Sequence, residues 1–132
     1  MGVMWRRVLC ATVAVAIAAC AAPNSTGASP SATPTIMRIT AEDAARAMAA
    51  DRFFSDYDQA ILVISGRVGD VVPSGNNARI ALTTSTAAVV ICETFGAPSV
   101  RNGDMIEVRV RGSDALRDDA GVLLRNCELV LP

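Results

Sequence analysis

Alternation of hydrophobic and polar residues dominates the second half of the chain and predicts a succession of β-strands. The clearest case is residues 105–111, where every second side chain is apolar while Glu107, Arg109 and Arg111 take the opposite face. Residues 61–72 form a longer apolar run interrupted by glycine, which predicts a long strand bent at its glycines. Three more strands are predicted between turn signals, at residues 79–83, 87–93 and 122–131.

One helix is predicted before the strands. Thr40 has the character of an N-cap, and Glu42 and Asp43 follow in the first turn, where the helix dipole favours acidic side chains. Alanine-rich sequence then continues to about residue 54 with one modest apolar stripe. We interpret the three aromatic residues at the end of this segment as core packing: Phe53, Phe54 and Tyr57.

The first nineteen residues have the organisation of a secretory signal peptide. Arg6 and Arg7 precede an apolar run over residues 8–19. As a helix this run rises about 18 Å, too short for the roughly 30 Å hydrocarbon core of a bilayer. Residues 1–19 are therefore interpreted as a signal peptide and not as a membrane span.

The end of this segment, residues 17–20, resembles the lipobox of bacterial lipoprotein precursors, with an aliphatic residue, two alanines and Cys20. The resemblance implies a diacylglyceryl group on the Cys20 thiol, cleavage before Cys20, and anchoring through acyl chains such as palmitate on the extracytoplasmic side of the cell membrane. Cys10 does not compete, because Arg7 stands where its lipobox needs an aliphatic residue. The alternative is an ordinary signal peptide, with Cys20 incidental.

Residues 20–35 form the predicted linker between this anchor and the folded domain. Beyond Cys20 the segment consists of Pro, Ser, Thr, Ala, Gly and Asn, without charge and without side chains large enough for a core. Its length allows a reach of about 50 Å when fully extended. We therefore predict a disordered, lipid-anchored linker over residues 20–35 and one domain over residues 36–132.

Composition excludes several kinds of catalytic site. The sequence contains no His, so Ser-His-Asp, Cys-His and His-metal sites cannot form within it. Twelve basic residues, all Arg, against thirteen acidic ones argue against a dedicated polyanion binder. Because no two carboxylates can be placed convergently, we expect a binding protein and not an enzyme, without a cofactor.

Two acidic clusters lack the spacing of a calcium loop, and we interpret them as solvated surface rather than as a metal site. They are Asp51, Asp56 and Asp58 near the helix end, and Asp114, Asp118 and Asp119 in a polar loop predicted at residues 112–121. Two interpretations remain open for the arginine pair on residues 105–111. Arg109 and Arg111 either bind a carboxylate or phosphate, or keep the outer face of a sheet solvated.

One helix and five strands fit either an OB-like barrel or an open sandwich. A series of motifs resembles the tRNA anticodon-like OB family over residues 44–131. These motifs are Val63-x-x-Gly66-x-Val68, Ile80-x-Leu82, Val90-x-Cys92, Gly103-Asp104-x-Ile106-x-Val108 and Leu124-x-Asn126-Cys127-x-Leu129-Val130. The resemblance implies a mainly β fold, a five-stranded OB-like barrel with one N-terminal helix.

Cys92 and Cys127 are the two cysteines of the predicted domain. An even pair in an exported domain favours a disulfide, and the third and fifth strands of an OB barrel are neighbours. The bridge would stabilise the fold by about 3–4 kcal/mol on the chain-entropy account. The alternative is a pair of buried, reduced thiols.

OB domains usually bind ligands across their second and third strands. The outward positions predicted there include no aromatic side chain and only one charge: Arg79, Ala81, Thr83, Val89 and Ile91. Single-stranded nucleic acid needs stacking aromatics and cations, so nucleic-acid binding is disfavoured. We expect a protein or a small ligand of the cell envelope as the partner, with a nucleic-acid- or oligosaccharide-binding OB domain as the alternative.

Overall fold

The computed structural model describes residues 33–96 and 98–130, and these residues belong to one compact unit. The predicted signal peptide, Cys20 and all but the end of the predicted linker lie outside the described residues. The described chain contains seven strands and two helices. In order they are β1 (Ile36–Thr40), α1 (Ala41–Ala49), α2 (Phe53–Tyr57), β2 (Ile61–Ser74), β3 (Asn77–Leu82), β4 (Val89–Phe95), β5 (Met105–Arg111), β6 (Ala115–Asp118) and β7 (Gly121–Val130).

Five of these strands close into a ring in the order β2-β3-β4-β7-β5, because β2 also pairs with β5. Within the ring, β4 and β7 are parallel and the other pairs are antiparallel. β1 adds a parallel strand to the first half of β2, and β6 pairs with the start of β7. The predicted mainly β class is therefore confirmed.

The ring has two walls that enclose one core. The first wall comprises β1, the first half of β2, β5 and the end of β7; the second comprises the rest of β2, β3, β4, the start of β7 and β6. Inward side chains of both walls belong to one apolar cluster, so the outer surfaces of the walls point away from each other. The largest fully buried side chains are Phe53, Leu62, Ile64, Ile80, Leu82 and Leu124.

β2 belongs to both walls because it bends. Its first half pairs with β1 and β5, and its second half pairs with β3. The register with β3 shifts between Val68 and Asp70, which places a bulge at Gly69. The predicted bend at glycine is confirmed, and it turns the strand from one wall into the other.

The helical segment is two helices, so the prediction of one helix to about residue 54 is wrong. α1 begins at the predicted N-cap: the Thr40 hydroxyl accepts from the Asp43 N–H, and the Asp43 carboxylate accepts from the Thr40 N–H at 3.1 Å. Asp51 has a φ of 61°, a left-handed conformation that no helix continues through. In α2, Phe53 is buried as predicted, whereas Phe54 is 37% exposed and its predicted core position is wrong.

Two short strands were not predicted. β1 lies directly after the predicted linker, and only five residues separate that linker from α1, too few to establish a strand period. β6 lies in the predicted polar loop at residues 112–121, where its strand character comes from pairing with β7. A 3₁₀ turn, Gly112–Asp114, separates β5 from β6. It passes so close to the end of α2 that a side chain at Gly112 would meet the Tyr57 carbonyl.

Cys92 and Cys127 lie on the neighbouring parallel strands β4 and β7. Their Cα atoms are 6.0 Å apart, their sulfur atoms are at disulfide-bonding distance, and both residues are buried. The predicted proximity of the two cysteines is confirmed. The cysteine pair joins two adjacent strands in the interior of the second wall.

We expect loss of this bridge to destabilise the domain strongly. The double variant Cys92→Ala/Cys127→Ala should lower the free energy of unfolding by about 3–4 kcal/mol, because the unfolded chain regains the entropy of the closed loop. Denaturant unfolding of variant and wild type measures this difference. As a control, the wild type unfolded without reductant should resist thiol alkylation at both positions; complete alkylation would show that the thiols are reduced.

Candidate functional site

An apolar row crosses the outer surface of the second wall. Ala81 of β3 is in register with Ile91 of β4, Ile91 with Leu123 of β7, and Leu123 with Leu116 of β6. With strands about 4.8 Å apart, the row extends about 15 Å across four strands. Val89 lies two residues before Ile91 on the same side of β4. We call these five residues the apolar face.

The apolar face is open to solvent on the side away from the core. Leu116 is 45% exposed, and the other four residues are half-buried between their neighbours on the sheet. The buried residues of α1 belong to the core cluster, together with the inward side chains of β3 and β4. α1 therefore lies on the inner side of these strands and does not cover the apolar face.

Charged residues border the apolar face on β3 and β4. Arg79 and Glu93 are in register and form an ion pair, with Arg79 Nη2 2.7 Å and Nε 2.9 Å from Glu93 Oε1. Val72, 50% exposed, lies beside Arg79 on β2. Arg79 is the one charged residue among the predicted outward positions of the second and third strands, and Glu93 neutralises its charge. This arrangement of an apolar centre with a polar border is typical of protein interfaces.

Phe95 is the aromatic residue on the outer surface of the second wall within the described chain. It is 74% exposed at the end of β4, in register with Asn77, so of the two positions that the sequence allows for it, core or rim, it occupies the rim. Arg125, Asn126 and Glu93 line the shallow cleft beside it. One ring offers a stacking surface for one base or sugar, which is less than a strand of nucleic acid requires.

The loop after β3 is hydrogen-bonded to α1. The Glu42 carboxylate accepts from the Ser85 backbone N–H at 2.7 Å and from the Ser85 hydroxyl at 2.5 Å, and it forms an ion pair with Arg46 at 3.2 Å. The hydrogen bonds from Ser85 lower the pKa of Glu42. Because this loop leads into β4, the contact positions the start of the apolar face.

A second surface depression lies on the first wall. Its volume is about 530 Å³, and its lining includes Val100, Met105, Ile106 and Leu129. Two carboxylates border it, but each has a local partner. Asp104 accepts from the Arg101 backbone N–H at 2.9 Å, and Glu107 pairs with Arg38 at 3.2 Å. The depression has room for a small apolar ligand, and both carboxylates of its described lining already have local partners.

The acidic clusters do not converge. Asp51 pairs with Arg117, which ties the turn between α1 and α2 to β6, and Asp118 accepts from the Asp119 backbone N–H at 2.8 Å. Residues 33–96 and 98–130 contain no group of three side chains that could hold a metal ion. Neither of the two described helices is long and apolar enough to cross a membrane.

No protein-family model matches this chain, and no curated protein matches it either. The resemblance to the anticodon-like OB family and the lipobox therefore stay predictions.

We expect acid to release the contact between α1 and the loop after β3. The pKa of Glu42 is lowered in the folded state by Ser85, and that of Asp43 by Thr40. The stability these carboxylates contribute is complete above their unfolded pKa, near 4.5 for Glu42, and is lost as the pH falls through the lower folded values. Glu42→Gln should therefore lower the thermal midpoint at neutral pH and flatten its decline in acid.

The matched control for this experiment is Glu128→Gln, which removes the same charge from the outer side of β7. Thermal unfolding from neutral pH down to about pH 3 compares the three proteins across the range in which carboxylates titrate. An acid decline equally steep in wild type and Glu42→Gln would contradict the role of the Glu42–Ser85 contact.

Proposed function

We propose that the protein is a lipid-anchored module of OB-like architecture, displayed outside the cytoplasmic membrane, that binds a protein partner through its apolar face. The observation that carries the proposal is the row of Ala81, Ile91, Leu123 and Leu116 across four strands. Within the described chain, no other element covers this apolar row. Covering it with a partner protein would remove apolar surface from water, which lowers the free energy and favours binding.

The strand order of the ring supports the OB-like architecture. Counting the ring strands along the chain, the first pairs with the second and the fourth, and the third lies beside the fifth. The second and third ring strands, β3 and β4, are the ones across which OB domains bind ligands. The apolar face lies on these two strands and continues onto β7 and β6.

The lipid anchor is supported by the order of features before residue 36. A charged start, a short apolar run, a lipobox-like end at Cys20 and an uncharged linker follow one another without interruption. Two acyl chains on Cys20 hold a protein stably at a bilayer, at about 0.8 kcal/mol per buried CH₂ group. The buried cysteine pair is in keeping with an oxidising compartment outside the membrane.

A protein partner is favoured over nucleic acid by the charges and aromatics of the second wall. Arg79 is paired with Glu93, and the exposed ring of Phe95 lies outside the apolar row. Asp118 and Asp70 are exposed beside the two ends of the row, where they repel phosphates. Nucleic acid or an oligosaccharide stacked on Phe95 is the alternative.

The anchor predicts a defined mass and location. Wild-type protein from the membrane fraction should have the mass of a chain that begins at Cys20 and carries a diacylglyceryl group, whereas Cys20→Ser should lose the lipid and remain unprocessed. Cys10→Ser is the matched control and should behave like wild type, because Cys10 is part of the removed segment. Intact-mass spectrometry of fractionated cells distinguishes the lipidated chain from the unprocessed one. Recovery from the cytosol of an unmodified chain that begins at Met1 would contradict the anchor.

The apolar face predicts a position-specific cross-link. A photo-reactive amino acid at Ile91 should give one reproducible protein adduct in intact cells, and the same amino acid at Arg109, on the first wall, should not. Adding Leu123→Asp should remove the adduct, since burying a charge in the centre of an interface weakens binding by about 2 kcal/mol or more. Mass spectrometry identifies the adduct.

The outcomes of this cross-linking experiment separate the two candidate ligands. A protease-sensitive adduct that requires Leu123 supports the protein partner. A nuclease-sensitive adduct, or binding that weakens steeply with salt, supports the nucleic-acid alternative instead. Equal cross-linking from Ile91 and Arg109 would exclude the apolar face as the binding surface.

A further inference from the structure

We propose that a neutral saccharide binds in a groove that crosses β7 where this strand passes from the second wall to the first. Asn126 belongs to the lining of two surface depressions, one on each wall. Phe95 lies in the first depression and Arg109 in the second, and we call the two together the Asn126 groove. The saccharide is a second ligand, bound in addition to the protein partner of the apolar face and not in its place.

A bulge in β7 shapes the groove. The register of β4 with β7 shifts at this point, so that Arg125 and Asn126 together oppose one residue, Glu93. In a regular strand one of two successive side chains would point into the core, whereas both of these residues are exposed. Asn126 has a φ of 57°, a left-handed conformation that its short polar side chain tolerates. The bulge therefore presents two consecutive polar side chains to one ligand.

Phe95 gives the groove a flat apolar platform. Its ring is 74% exposed, with Asn77 in register beside it on β3 and with Arg125 and Asn126 on β7, the strand on the other side of β4. The face of an aromatic ring is electron-rich and attracts the weakly positive C–H groups on the face of a sugar ring. A sugar stacked on Phe95 directs its hydroxyl groups sideways, towards polar side chains from two strands.

Hydrogen-bond donors and acceptors are interspersed at the other end of the groove. Arg109 and Glu128 lie in register there, and Arg111 and Asp114 line the same depression. Within residues 33–96 and 98–130, the ion pairs are made by other residues: Arg38–Glu107, Arg46–Glu42, Arg79–Glu93 and Arg117–Asp51. A guanidinium group only donates hydrogen bonds and a carboxylate only accepts them, whereas a hydroxyl group does both. A chain of sugar hydroxyls therefore matches this lining.

The charges of the groove favour a neutral ligand over a charged one. Two arginines and two carboxylates line the end on the first wall, so that neither sign is in excess there. A phosphate chain along the groove would be repelled by Asp114 and Glu128, and a polycation by Arg109 and Arg111. The depressions have volumes of about 190 Å³ beside Phe95 and about 620 Å³ beside Arg109, which leaves room for a saccharide of more than one ring.

The small number of phenylalanines makes the platform directly observable. The chain contains three, so incorporation of fluorophenylalanine gives one fluorine NMR signal each for Phe53, Phe54 and Phe95. The full chain, purified from the membrane fraction in a detergent without sugar, is titrated with maltohexaose, cellohexaose and chitohexaose. Phe95→Leu assigns the signal of the platform. Phe53 is buried and Phe54 is 37% exposed on α2, so their signals are internal controls.

We expect at least one hexasaccharide to shift the Phe95 signal saturably and to leave the Phe53 and Phe54 signals in place. Saturation transfer from the protein to the saccharide then compares the variants. Phe95→Ala should weaken binding by about tenfold or more, because a stacking ring contributes about that factor. Phe95→Trp should retain binding. Phe54→Ala, the matched control, removes the other exposed phenylalanine and should change nothing.

A second variant tests the bulge. Asn126→Gly keeps the left-handed backbone and removes the amide, so it should weaken saccharide binding by about fivefold through loss of a hydrogen bond. Asn102→Gly makes the same exchange in the loop before β5, outside the groove, and should bind like wild type. Leu123→Asp, which removes the protein partner from the apolar face, should also bind the saccharide like wild type.

Three outcomes overturn the saccharide site and leave the protein partner of the apolar face untouched. The first is a Phe95 signal that none of the three hexasaccharides shifts at concentrations up to about 10 mM, beyond the range of specific binding. The second is equal binding by Phe95→Ala and Phe54→Ala. The third is a stronger, salt-dependent response of Phe95 to hexathymidylate, which would assign the groove to nucleic acid. Loss of saccharide binding in Leu123→Asp would show that the two ligands share one site, contrary to the proposal.

Discussion

Pairing of β2 with two different sets of neighbours is the constraint on which the remainder of the structure depends. Its first half pairs with β1 and β5, and its second half pairs with β3. The bulge at Gly69 lets one strand belong to both walls. A side chain at Gly69 would collide with the Thr83 side chain. Without this bend the walls would not face each other, and the alternating side chains of seven strands would not share one core.

Much of the fold followed from periodicity, and the exceptions have physical causes. The five ring strands were predicted because each is long enough to show alternation or an unbroken apolar run. β1 and β6 were missed because a short strand depends on its partner for its structure. The helix was predicted too long because Asp51, whose left-handed φ ends α1, looks like any polar residue on an exposed helix face.

The candidate site was predictable residue by residue but not as a surface. Ala81, Val89 and Ile91 were recognised as outward positions from the alternation of their own strands. Leu116 and Leu123 were not, because their alignment with Ile91 depends on the parallel pairing of β4 with β7 and on β6. Register between distant strands leaves no local signal in a single sequence.

β1 also determines how the domain bears mechanical load. The predicted linker enters at the first residue of this strand, which runs parallel to β2 and pairs with it at five positions. A pull along the strand axis stretches these pairings simultaneously, in shear, whereas a pull perpendicular to it separates them one after another. The short strand beside the linker therefore connects the tether to the ring through five pairings, which share a load directed along the strand axis.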